Sequence, residues 1–381
     1  MVLSLVPCTP AAAQSVRERL PQELELARAG LVRQWFSRAS IDPLRNQVGA
    51  VTLLGGRLYV QTTGGTIQAL DGETGRQVWV SQVGRPSKDI IRVSANSSSL
   101  FVVNATDLYM LDTQTGEHLW HAVLEHAPSA SATATETELY VPMFTGQMDV
   151  YSIKDRRIDW YYATGSRLLS QPIVTLGNVA FANDKGNLYV THRNQRSLVF
   201  RYETDAPISA PLIKQEDEWI VLASEDFNVY CVHVKSGQTR WRFSAEAPIL
   251  TAPISIGDKI YILPEHRGMF QIDARNGEEL WRSPYVTRFV AASPNRLYGT
   301  DRLGNLVVLD RDTGNLVGAM DTNAFELAAV NTENDRVYLL SRSGLIVCLR
   351  EYGLDKPAVV SHAEDSEAPL PDAETEEETT P

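Results

Sequence analysis

The chain repeats itself at steps of about forty residues, and few folds can accommodate that. Short β-like triplets begin at Leu58, Leu100, Leu139, Val179, Trp219, Ile260, Leu297 and Val337, at intervals of 42, 39, 40, 40, 41, 37 and 40 residues. Each triplet is followed by a turn string, such as TTGG, FTGQ, NDKGN, SEDFN or SRSG, and then by a second alternating apolar run such as TIQALD or LVVLD. Two alternating runs around a short turn read as a β-hairpin, and here there are eight of them. A unit this small cannot bury an apolar face alone, so the repeats must bury their faces against one another.

A punctuated segment follows the second run, as DGETGRQVW at 71–79, DTQTGEHLW at 112–120, HVKSGQTRW at 233–241 and DARNGEELW at 273–281. Gly75, Gly116, Gly237, Gly277 and Gly314 stand where a tight turn needs positive φ, which glycine adopts without a Cβ penalty. The Asp or Thr before them can bond nearby backbone amides. An aromatic arrives four residues later at Trp79, Trp120, Trp241 and Trp281, and Trp160 and Phe200 hold the same place in repeats whose turns, KDRR and RNQR, lack the glycine. Of seven tryptophans, five share this position and Trp35 makes a sixth, a recurrence that fits packing between sheets better than ligand stacking. Each ring would then bury about 150 to 250 Å² between neighbours.

Four strands per unit, repeated eight times, predict an all-β, eight-bladed β-propeller of four-stranded antiparallel blades; a linear solenoid is the competing arrangement. The last repeat ends at Cys348-Leu349-Arg350 without its aromatic strand, whereas Gly30-Leu31-Val32-Arg33-Gln34-Trp35-Phe36 nearly matches it with one residue extra. The N-terminal strand, about 31–38, is therefore expected to close the ring. The chain divides into a signal-like segment at 1–14, a short helical segment within 15–29, the propeller at 30–354 and an acidic tail at 355–381 expected to be disordered. Pro21, early Glu23 and Glu25, late Arg28 and terminating Gly30 mark the helix.

The net charge is -12, and the tail contributes nine acids against Lys356 alone, a balance of -8, so the body carries about -4. No positive field favours a nucleic-acid partner. With 43% hydrophobic residues there is material for a large core, and no internal apolar run is long enough for a membrane helix. Cys8, Cys231 and Cys348 form no CxxC pair. His118, His121 and His126 have no compact metal-ligand spacing. Glu225, Asp226, Asp301 and Asp335 fall in hairpin turns where acids serve turn chemistry, and Lys154, Arg156 and Arg157 with Asp155 and Asp159 read as a solvated turn. No nucleophile, phosphate-loop or zinc-protease motif is present, so no catalytic, cofactor-binding or metal-ligating residue is assigned.

The strings ALDGETGRQVW, MLDTQTGEHLW and VLDRDTGNLV resemble the docking repeats of pyrroloquinoline-quinone-type propellers, and their spacing without insertions is similar to that of the BamB group of outer-membrane assembly factors, over about residues 30–351. That resemblance implies a periplasmic, non-enzymatic scaffold, expected to be monomeric, that binds envelope proteins such as components of the β-barrel assembly machinery. Two alternatives stand beside it. One is a quinone-dependent dehydrogenase using PQQ and calcium, which the absence of adjacent cysteines and of insertions disfavours. The other is an envelope sensor or carbohydrate-binding propeller.

Overall fold

The computed structural model describes residues 19–175, 177–193 and 196–359. The signal-like segment and the tail beyond 359 lie outside the described residues.

Blade 1 shows how the repeat folds. Strands β2 (Val48–Leu54), β3 (Arg57–Thr62), β4 (Thr66–Asp71) and β5 (Gln77–Gln82) pair in sequence order, all antiparallel. The two central strands are buried along most of their length because both faces meet other blades, while β5 is the exposed outer edge. A one-residue bulge in β5 sits just before Trp79, pairing Leu70 with Gln77 and Ala69 with Trp79. Such a bulge increases the local twist and re-aims the next side chain. The same bulge precedes Trp120, Trp160, Phe200, Trp241 and Trp281.

Seven further four-stranded sheets complete an eight-bladed β-propeller. Blades 2 to 7 occupy 94–123, 133–163, 173–203, 213–244, 254–283 and 288–320. Blade 8 combines Leu327–Ala328, Val337–Leu340 and Leu345–Glu351 with β1 (Leu31–Arg38), which pairs antiparallel with Leu345–Glu351. The N-terminal strand thus closes the ring, as its sequence implies. The extra residue also has a reason. Trp35 faces Cys348, and the strand runs on through Arg33, Val32 and Leu31, so Leu31 opposite Glu351 occupies the place a turn glycine takes elsewhere. This strand arrives from outside the blade, so no turn is needed there. Gly30, at φ 69, ends the preceding helix instead.

Helix α1 (Glu23–Arg28) is shorter than the sequence suggests, because Gln22 is extended as its N-cap, leaving Pro21 outside the helix, and the Glu25 carboxylate reaches back to the Gln22 N–H at 3.4 Å. Among the described residues no helix is long and apolar enough to cross a membrane.

Candidate interaction face

The outer-strand aromatics lie on the turns of the next blade round the ring. A Cβ built on Gly116 would meet the Trp79 ring at 2.5 Å, and the corresponding values are 2.9 Å for Gly237 on Phe200, 2.8 Å for Gly277 on Trp241 and 2.5 Å for Gly314 on Trp281. Gly75 lies against Trp35 in the same way. All five glycines have φ between 68 and 74, so both conformation and contact exclude a side chain. The indole N–H of Trp79 donates to the Thr113 carbonyl at 2.9 Å, and those of Trp35, Trp241 and Trp281 to Gly72, Ala274 and Arg311. Trp120 packs near Tyr151 of blade 3, and Trp160 lies in a cluster drawn from blades 3 and 4. The turns of blades 3 and 4 lack glycine, and there Arg156 and Arg196 take the left-handed conformation at φ 58 and 54. Blade 7 carries Gly318 at the aromatic position, opposite Val308, and the helix covers the gap: the nearest atom to a Cβ there would be the Ala29 Cα.

These turns make one end of the ring polar. In blades 1, 2 and 7 an Asp carboxylate gathers the backbone: Asp71 accepts from Thr74 N–H and Oγ1 at 2.8 and 2.7 Å, and Asp112 and Asp310 repeat the arrangement with Thr115 and Thr313. Hydrogen bonds from Thr115 and Thr313 hold the Asp112 and Asp310 carboxyls below their ordinary range. The turn face is tied together within blades, as by Gly72 N–H to Gly56 O and Thr113 N–H to Ser98 O. At the ring seam it is reinforced across blades. Glu333 accepts from the Gly55 and Gly56 amides at 2.9 Å, and fully buried Arg336 pairs with fully buried Asp335 at 3.0 Å and with Glu73 at 3.3 Å. Leu354 and Asp355 carbonyls accept from Arg336, and Ala358 N–H donates to Asp335. Asp335 is therefore the anchor for the residues after blade 8 and not an ordinary turn acid; burial raises its pKa.

The opposite end, formed by the middle hairpin loop of each blade and the connections between blades, is different. Backbone bonds knit the two loop sets together: Val83 to Gly65, Leu124 to Thr106, Thr164 to Gly146, Thr204 to Gly186 and Ala245 to Phe227. Leu44, Phe144, Phe227, Leu250, Tyr285 and Leu303 project from this loop face, with Leu44 96% and Leu303 76% exposed. Among the described residues, the large exposed apolar side chains of the turn face are Val330, Tyr352 and Val359, all at the blade 8 seam. The outer wall also exposes apolar residues, but in single file among charges such as Arg157, Asp159, Arg201 and Arg242, an arrangement that guards edge strands against pairing.

The remaining reactive side chains are built into packing. Cys231 and Cys348 oppose Trp241 and Trp35 and are fully buried; burial pushes the Cys231 thiol up to about 12 and the Cys348 thiol well above its usual value. His118 bonds Ser81 and the Gln82 carbonyl, and His121 meets Asp107 at 2.8 Å, both rings lying against Tyr109. Among the described residues no three His, Cys, Asp or Glu side chains converge as a metal set. The sequence alone does not separate the loop face from the turn face, although it holds one signal: SEDFN carries an aromatic where FTGQ, NDKGN and SRSG carry glycine.

A family model described as "Outer membrane protein assembly factor BamB" matches residues 40–194 and 196–348. The assembly factor BamB of Shewanella oneidensis is 22% identical over 386 aligned positions, covering 90% of this chain and 95% of that protein. A polyvinylalcohol dehydrogenase from a Pseudomonas species is 28% identical over 109 positions, covering 26% of this chain and 17% of the enzyme. The crystal structure of BamB from Moraxella catarrhalis superposes with a TM-score of 0.68 at 16% identity, covering 85% of this chain and 98% of that one, which speaks for the fold. The matched residues span all eight blades, and the chain belongs to the family of outer membrane protein assembly factor BamB.

Proposed function

We propose that this protein is a non-catalytic scaffold of the cell envelope that holds protein partners during outer-membrane protein assembly, using the loop face of its propeller. The observation that carries the reading is the uneven distribution of exposed large apolar side chains among the described residues, six on the loop face against three on the turn face, those three confined to the blade 8 seam. Loops on a fixed scaffold are the usual seat of binding, and exposed apolar groups grouped at one end mark an interaction site. Family membership favours partners from the β-barrel assembly machinery and a periplasmic location. The stretch shared with the dehydrogenase is shorter than three repeats, so it supports common blade architecture more than common chemistry.

Affinity capture from a solubilised envelope extract tests this. The immobilised chain should retain barrel-assembly components. Retention of none of them, together with a quinone absorbance that survives gel filtration after PQQ and calcium are added, would favour the enzyme instead.

A further inference from the structure

An outer strand can be fastened to the next blade in three ways: by a turn glycine beneath its aromatic, by an indole N–H bond to that turn, and by a second aromatic two residues on. This second ring meets one of the next blade, as Tyr162 with Tyr189 at 5.8 Å, Tyr202 with Tyr230 at 5.7 Å and Phe243 with Phe270 at 6.0 Å. The joints of blades 8 and 1, 1 and 2, and 6 and 7 have the glycine and the bond, and that of blades 5 and 6 has all three. Blades 4 and 5 share the glycine and the ring pair. Between blades 3 and 4 the glycine is missing and the Trp160 N–H is buried without a partner among the described residues. There the ring pair is backed by ion pairs, Arg193–Glu138 at 3.0 Å and Arg196–Asp159 at 2.6 Å. The helix fills the joint of blades 7 and 8.

The joint between blades 2 and 3 has none of the three. Its turn lacks glycine, and Trp120 is only half-buried, with its N–H bonded to nothing among the described residues. Two residues after Trp120 stands Ala122. The position of Tyr189, Tyr230 and Phe270, three before the end of the strand, is Asp149 in blade 3. Asp149 is 1% exposed, accepts one hydrogen bond, from Gln147 Nε2 at 2.6 Å, and pairs with no cation among the described residues. Burial raises its pKa, and the charge of Glu125 adds to the effect. A carboxylate buried without a cation weakens the contact it sits in. The inner end of the same joint is well tied: Asn96 Nδ2 donates to the Thr135 carbonyl at 2.9 Å, and Ser97 N–H and Oγ donate to Glu136 at 3.0 and 2.6 Å.

We propose that the joint between blades 2 and 3 is a hinge in the ring: the outer strand His118–Val123 lifts from blade 3 while the inner ends of the two blades stay bonded. Segments held by few contacts open locally at low cost. Closure and opening about an intact edge need no change inside either blade. The motion alters the spacing between the blade 2 loop at 104–107 and the exposed Phe144 of blade 3, so the loop face changes shape there without unfolding. The hinge does not depend on what that face binds.

Amide hydrogen exchange of the full chain at neutral pH tests this. Protection of His118–Val123 should be at least about fivefold lower than that of Gln77–Gln82 and Thr239–Ser244, the factor set by one net hydrogen bond, while Ser99–Asn104 inside blade 2 stays protected. Two variants probe the cause. Asp149→Asn removes the buried charge and keeps the shape, and should raise protection of His118–Val123 without moving Thr239–Ser244. Trp241→Phe removes the indole bond between blades 5 and 6 and should lower protection of Thr239–Ser244 about fivefold. Equal protection of the three outer strands, or no gain in Asp149→Asn, would overturn the hinge. So would exchange of Ser99–Asn104 together with His118–Val123, which would mean that blade 2 unfolds as a unit. Protection left unchanged by Trp241→Phe would remove the ranking of joints from which the hinge is argued.

Discussion

The two ends of the ring use glycine and acidic residues for opposite purposes. On the turn face, Asp112, Thr115 and Gly116 satisfy one another's backbone and present a flat glycine to Trp79. That turn serves the joint between blades 1 and 2. On the loop face the hairpins need glycine only for close backbone approach, and their tips are free to vary, as Phe144, Lys185, Phe227 and Leu303 show. The lesson is that periodic residues of a propeller report its masonry, whereas aperiodic ones at the loop tips report its use.

The largest effect should come from damaging a joint. Gly116→Val places a β-branched side chain at φ 72 and into the Trp79 ring, and should destabilise the ring by about 3 to 5 kcal/mol in denaturant titration. A loss near zero would mean that the ring does not bear on the turn. A smaller effect is expected from acid. Because turn hydrogen bonds depress the folded pKa of Asp112 and Asp310, their contribution is present above the unfolded value of about 4 and is lost as pH falls through the lower folded value. Replacing both by Asn should therefore lower stability at neutral pH and flatten its decline below about pH 4; an unchanged acid limb would sever the turn carboxylates from the joints. The smallest effect belongs to the other end. Phe144→Asp and Leu303→Asp should each shift stability by less than about 0.5 kcal/mol, since both side chains are exposed at loop tips. A loss as large as that of a joint variant would erase the contrast between the two faces.

How much of this was legible in the sequence follows the same division. The blade number, the closing strand and the glycine turns are periodic, so self-comparison of one chain suffices to read them. The blade 7 joint was legible only as a gap, since Leu316-Val317-Gly318 lacks the aromatic, and nothing local says that the helix ending near Ala29 fills it. Asp335 reads as a turn acid because its neighbours in sequence are turn-like. Its burial depends on Arg336 and on Ala358, which arrives from beyond blade 8. The sequence points to the ring faces and hairpin loops as contact surface but does not choose between the two faces, because which end of the ring a loop occupies shows only in the fold.

The central claim is that partners meet the loop face and not the turn face. A photo-cross-linking residue placed singly at positions 144, 227 and 303, and at 74, 114 and 313 on the turns, tests it in envelope extract. Protein adducts should form from the first three positions and be absent from the second three. Adducts of equal yield from both sets, or from the turns alone, would contradict the account.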